Sequence, residues 1–183
     1  AQRLSVLRRL AHPGEGGAIR VLVVPVRALL APVIAGLGEL EPVHLAPGLA
    51  VGLEETARRL EAAAYTRVDM VESRGEYAVR GGILDVFPPS EPRPVRVDFF
   101  GDEIDEVSSF AVADQRTLSG GEELTELTLL PCRELLITPE VMSRAARLKA
   151  DYPAAAAMLE KIAGGIYVEG MESLTPLLIE SMN

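Results

Sequence analysis

The stretch from residue 67 to residue 110 limits the fold more than any other part of the chain. It breaks into β-like runs at 67–72, 76–80, 82–87, 94–100 and 103–110, with turn-like sequences between them. Runs this short, rich in Val, Ile, Tyr and Phe and bounded by Gly, Pro, Ser and Asp, read as strands of an antiparallel sheet. Glu72-Ser73-Arg74-Gly75 and Phe100-Gly101-Asp102 read as hairpin turns, and Pro88-Pro89-Ser90-Glu91-Pro92 as a longer one. Just upstream, Val51 to Ala64 places Leu53, Ala57, Leu60 and Ala64 on one side at helical spacing. That helix is expected on one face of the sheet. Residues 125–137 are expected to add one or two strands, so the middle, 49–134, reads as an α+β unit.

The flanks have a different character. Residues 1–12 are helix-like, with Leu4, Leu7 and Leu10 on one face. A loop at His12 to Gly17 leads into Arg20-Val21-Leu22-Val23-Val24-Pro25, a nearly unbroken apolar run. Such a run is expected to be a strand buried on both faces of a parallel sheet. A short helix within 26–36, interrupted near Pro32, and a strand at Val43 to Leu45 follow. Beyond Thr138, a plausible N-cap with Pro139 at the first helical position, the segments 139–150, 153–163 and 171–182 read as helices.

Composition closes several routes to function. With 27 acidic and 18 basic residues the net charge is −9, a poor basis for general nucleic-acid binding through phosphates. One cysteine, Cys132, excludes an internal disulfide and fits a reducing compartment. With only His12 and His44 beside it, no zinc-type ligand spacing occurs. No run approaches the roughly 20 apolar residues of a membrane span. No GxxxxGK[ST] phosphate loop is present, and the Gly pairs 81–82, 120–121 and 164–165 read as turns, bulges or caps. Asp102-Glu103-Ile104-Asp105 follows Phe99-Phe100-Gly101 and reads as a β-turn rather than a magnesium site. Nothing here supports catalysis, and no catalytic, cofactor or metal residue is assigned.

What remains is a surface. In Val95-Arg96-Val97-Asp98-Phe99-Phe100 the strand alternation puts Val95, Val97 and Phe99 on the core face. Arg96, Asp98 and Phe100 take the opposite face. In the preceding run Ala78 and Arg80 point one way, Tyr77 and Val79 the other. If the strands are neighbours, Arg80 joins Arg96 in a small basic patch, tempered by Asp98. An exposed Phe beside Arg matches the residue types enriched at binding hot spots.

The stretch Glu76-Tyr77-Ala78-Val79-Arg80-Gly81-Gly82-Ile83-Leu84-Asp85-Val86-Phe87-Pro88 is distinctive. It is followed by Pro94 to Asp105 and by Phe110-Ala111-Val112-Ala113-Asp114-Gln115-Arg116-Thr117. Together these segments resemble the N-terminal UvrB-homology region of the bacterial transcription-repair coupling factors, the Mfd family. The resemblance covers most of the chain and is strongest from about residue 65 to 117.

It implies an α/β fold with an α+β insert: a partial, degenerate RecA-like body derived from the P-loop NTPases, interrupted by an antiparallel-sheet-and-helix domain. The body would comprise 1–48 and 135–183, and the insert 49–134. It also implies that the insert binds UvrA, the damage-recognition ATPase of nucleotide excision repair, as UvrB does through its equivalent surface. The family's two arginines and one phenylalanine for this contact fall on Arg80, Arg96 and Phe100. ATP and magnesium would serve the parent protein, an ATP-dependent DNA translocase, and no cofactor this region. The parent's C-terminal domain would mask the same surface, with RNA polymerase and DNA contacted elsewhere in a cytoplasmic protein.

UvrB itself is the competing resemblance, which would make the chain a fragment of an ATP-dependent helicase. Val26-Arg27-Ala28-Leu29-Leu30 stands where UvrB carries a Tyr-Gly-Leu-Gly-like run, and Asp114-Gln115-Arg116 also fits the coupling factors better. A third reading is an internal scaffold or autoinhibitory domain without an external partner.

Overall fold

Two glycine-led turns set the register of the main sheet. β3 (Glu76–Arg80) and β4 (Ile83–Val86) are joined by Gly81-Gly82, and β5 (Val95–Phe100) and β6 (Glu103–Ser109) by Gly101-Asp102. Gly81 and Gly101 have φ of 61° and 66°, the left-handed region that two-residue hairpins demand and that favours glycine. These features come from a computed structural model that describes residues 2–14, 19–30, 33–112 and 123–179. Asp114-Gln115-Arg116 and the Gly pair 120–121 lie outside the described residues.

The remaining elements, in chain order, are α1 (Gln2–Ala11), α2 (Val26–Leu30), β1 (Val43–Leu45), α3 (Leu53–Ala62) and β2 (Thr66–Arg67). After the hairpins come β7 (Leu127–Leu129), α4 (Pro139–Leu148), α5 (Ala156–Ala163) and α6 (Thr175–Leu178). The chain divides into two compact units, residues 1–5 with 40–132 and residues 6–39 with 133–183.

The first unit holds both sheets. The larger runs β2-β3-β4-β5-β6; β3 to β6 pair antiparallel, whereas β2 pairs β3 in parallel. The run expected at 67–72 therefore yields only Arg67, the second residue of β2. Glu72 to Gly75 is not a hairpin, because the strands it links run the same way. Leu60 and Ala63 from the α3 segment meet Tyr77, Leu84, Val86, Val95, Val97, Ile104 and Val107 in one core. Burial of each large aliphatic side chain there contributes about 1.5–3 kcal/mol. The Tyr77 hydroxyl donates to Glu61 Oε1 at 2.7 Å, tying helix to sheet. β7 is the single strand found within 125–137; it pairs with β1 and adds Leu127 and Leu129 to the same core.

The second unit is helical in its described residues. Thr138 caps α4, its hydroxyl accepting from the Val141 amide at 3.3 Å, with Pro139 following as expected. Val141 and Ala145 of α4 pack with Leu159 and Ile162 of α5, and with Leu135, Met171 and Leu178. The helix expected over 153–163 begins as a 3-10 turn at Pro153–Ala155, and the last one shortens to a 3-10 turn plus α6.

The expected buried strand at 20–25 is corrected here. Residues 21–25 form no strand, and Val21 and Val23 are 80% and 88% exposed. A strand buried on both faces needs hydrogen-bonding neighbours along its edges and layers above and below. Both sheets of the described residues belong to the other unit, so nothing in them supplies that setting.

Candidate functional site

Hairpin register decides which side chains share the face turned away from α3. Ala78, Asp85, Arg96 and Ser108 stand in one cross-strand row over β3, β4, β5 and β6. Arg80, Ile83, Asp98 and Glu106 form the next row, and Phe100 faces Glu103 at the hairpin end. Registered partners point to the same side of a sheet. Arg80, Arg96 and Phe100 therefore do share a face, as the alternation predicts.

Asp85 organises that face. Only 1% exposed, it receives Arg96 Nε on Oδ1 at 2.7 Å and Arg96 Nη2 on Oδ2 at 2.8 Å. Arg80 Nη2 reaches the same Oδ2 at 2.6 Å. The Arg96 contact is a two-point fork, the strong form of a guanidinium–carboxylate pair. It raises the Arg96 pKa still further above its ordinary value, chiefly through the Asp85 hydrogen bond. Two guanidinium groups against one carboxylate leave one net positive charge on the cluster.

The three predicted residues occupy different depths. Arg96 has a side chain 15% exposed, with its guanidinium over the Phe110 ring at 4.8 Å from the centroid. Phe110 belongs to a small cluster with Val71, Ala78 and Phe87 that covers this end of the face. Arg80 is 45% exposed and Phe100 84%. Phe100 is the last residue of β5, beyond the reach of that cover, while its neighbour Phe99 packs on the main core.

Two expectations change. Arg96 does not stand free toward solvent, because the interior carboxylate binds the edge of its guanidinium. The residue tempering the patch is Asp85 rather than Asp98 alone. Asp85 was legible in principle: it lies two residues beyond Ile83, which the Gly81-Gly82 turn sets opposite Arg80, and alternation returns it to the Arg80 face. Asp98 sits across from Glu106. Its pKa is raised, first by burial and then by the Glu106 charge, against the opposing pull of Arg96.

The other flagged features lie in turns, strand ends and loops. Asp102 is in the β5–β6 turn and Glu103 begins β6. Among the described residues no group of three or more His, Cys, Asp or Glu is arranged to hold a metal ion. Nor is any helix among them long and apolar enough to cross a membrane. Cys132 is half-buried, its amide donating to the Ala63 carbonyl at 2.9 Å.

Comparison with known proteins bears on the same region. The family described as the UvrB interaction domain matches residues 43–135. The transcription-repair-coupling factor of Mycobacterium tuberculosis (strain CDC 1551 / Oshkosh) is 48% identical over 187 residues, covering 96% of this chain and 15% of that protein. That of Escherichia coli (strain K12) is 38% identical over 135 residues, 73% of this chain and 11% of its own length. The UvrABC system protein B of Kosmotoga olearia is 31% identical over 128 residues, 69% of this chain and 18% of its own. The chain thus spans less than a fifth of the length of each of these relatives.

Proposed function

This chain belongs to the UvrB interaction domain family, and we propose from that premise that its open sheet face docks UvrA on behalf of a transcription-repair coupling factor. The observation that carries the reading is an exposed Phe100 on the same sheet face as two arginines that a buried carboxylate holds in place. An aromatic anchor with fixed guanidinium groups is the composition of an energetic centre in a protein interface. Identity of 48% over 96% of this chain to a coupling factor, against 31% over 69% to the UvrABC system protein B of Kosmotoga olearia, supports recruitment over helicase work.

In this reading residues 49–134 are an insert within a degenerate RecA-like body to which 1–48 and 135–183 contribute. The module takes no cofactor of its own. ATP and magnesium, RNA polymerase and DNA belong to other parts of a cytoplasmic parent protein, an ATP-dependent DNA translocase. The parent's C-terminal domain covers the same face until UvrA is needed.

Calorimetric titration of the chain with purified UvrA tests the proposal, wild type beside Phe100→Ala. Arg96→Ala is a poorer probe, because it leaves Asp85 buried without its main partner. Loss of Phe100 should weaken binding by about 2 kcal/mol, roughly 30-fold. A folded wild-type chain that takes up no UvrA would sink the proposal, whereas undiminished binding by the variant would move the site off Phe100.

A further inference from the structure

Arg80 and Arg96 carry long side chains that in isolation sample many rotamers, and a partner must immobilise such chains to use them. Here that ordering is already accomplished within the chain. Asp85 spends one oxygen on Arg96 alone and shares the other between Arg96 and Arg80. Phe110 closes the Arg96 guanidinium from a further side. Arg80 is much the more exposed of the two, 45% against 15%, and a guanidinium that gives Nη2 to Asp85 has further N–H donors to offer a partner.

We infer that Asp85 is a positioning residue for UvrA docking: an interior carboxylate that aims Arg80 and, through Arg96, fixes the plane on which the partner's acceptor groups land beside Phe100. This rests on the docking reading above. It adds that the surface recognises its partner through oriented guanidinium donors rather than through positive charge as such. The partner group is accordingly a carboxylate or carbonyl oxygen set next to an apolar recess for Phe100.

Charge and orientation predict opposite signs for one substitution. Asp85→Asn keeps the side-chain volume and raises the cluster from one net positive charge to two. Were positive charge the attraction, UvrA would bind more tightly and associate faster. With orientation in control, association holds or quickens slightly, dissociation accelerates, and affinity falls by roughly tenfold.

The experiment is a surface-plasmon-resonance measurement of UvrA on- and off-rates with the full chain, using wild type, Asp85→Asn and Arg80→Lys. The Arg96 Nε–H resonance and thermal melting are followed alongside. Arg80→Lys changes a half-exposed side chain, so it survives even if the Asp85 variant does not fold. It keeps the charge but loses the planar fork, and should weaken binding several-fold through the off-rate.

The expected set is a protected Arg96 Nε–H signal in wild type, its loss in Asp85→Asn, and faster dissociation from both single variants. Equal or tighter binding by folded Asp85→Asn, or wild-type kinetics for Arg80→Lys, would overturn the inference while leaving UvrA docking intact. Absence of wild-type binding would overturn the docking reading and this inference with it.

Discussion

The two faces of the five-stranded sheet are built from the same strands yet hold together by different physics. On the α3 face, Leu84, Val86, Val95, Val97 and Val107 lie under helix and loop, fully or almost fully removed from water. On the other face the row beneath Ala78 is polar: Asp85, Arg96 and Ser108. The first face needs only apolar volume in the right place. The second holds its arginines against one interior carboxylate, and that hold does not extend to the hairpin end, where Phe100 is left in solvent. Alternation along a single strand, β5, therefore supplies both the fold and its presentable surface.

Emptying the α3 face should have the largest effect. Leu84 is fully buried in the middle of β4. Leu84→Ala removes apolar contact and leaves a cavity, at a cost of about 3 kcal/mol. Urea unfolding should show a lower midpoint with an unchanged slope. A loss under about 1 kcal/mol would mean that the core collapses onto the gap and that the face is less tightly packed than its burial indicates.

Phe100→Ala sharpens the contrast from the opposite side. The side chain has little to lose on folding, so stability should move by less than about 0.5 kcal/mol. UvrA affinity carries the whole effect, the loss of about 2 kcal/mol set out above. A large fall in melting temperature would show that the ring supports the fold and is not free to dock.

The link between the helix and the sheet gives an intermediate effect. Tyr77→Phe deletes the hydroxyl that reaches Glu61 and should cost about 1 kcal/mol. Burial, followed by the hydrogen bond to Glu61, pushes the Tyr77 pKa well above its ordinary 10.0, and burial does the same to Tyr65. The unfolded chain releases these protons first, so the folded state binds more of them above the ordinary tyrosine range. Stability therefore falls as pH rises beyond it. Tyr77→Phe should lose less stability than wild type between neutral pH and strongly alkaline pH, as read by denaturant midpoints across that range.

How much of this was legible follows from what each pattern measures. Alternation reports which way a side chain points, and it placed Arg80, Arg96 and Phe100 on one face correctly. It does not report depth. Arg96 is covered because Phe110 lies against its guanidinium, and Phe110 comes from outside the strand that carries it. The apolar run at 20–25 failed for the converse reason: its composition expresses a demand for neighbouring strands that the described residues do not contain. The parallel pairing of β2 was hidden as well, since two residues carry too little periodicity to separate a strand from a turn. Thr138 and the Gly101-Asp102 hairpin were readable because a cap and a two-residue turn depend on local chemistry, whereas Glu72 to Gly75, also read as a hairpin, joins strands that run in parallel.

The smallest effect probes the polar row next to the clamp. Asp98 and Glu106 face each other directly across β5 and β6, where like charges oppose pairing. Arg96 attracts Asp98, while Asp85 and Asp105 add to the repulsion. The raised pKa of Asp98 shows that its ionised form is disfavoured on balance, burial being the leading cause. Between its ordinary value and that raised value the folded chain holds a proton that the unfolded chain has released. Stability is therefore gained on acidification through that window and is lower above it. Asp98→Asn removes the penalty and should stabilise the protein by about 0.5 kcal/mol at neutral pH. The advantage should shrink as pH falls through the carboxylate range, where wild-type Asp98 takes up its proton. Paired urea titrations at neutral and acidic pH read this difference directly. A destabilised Asn variant at neutral pH would mean that attraction to Arg96 outweighs the repulsion, and that the clamp extends one residue pair further along the face than Asp85.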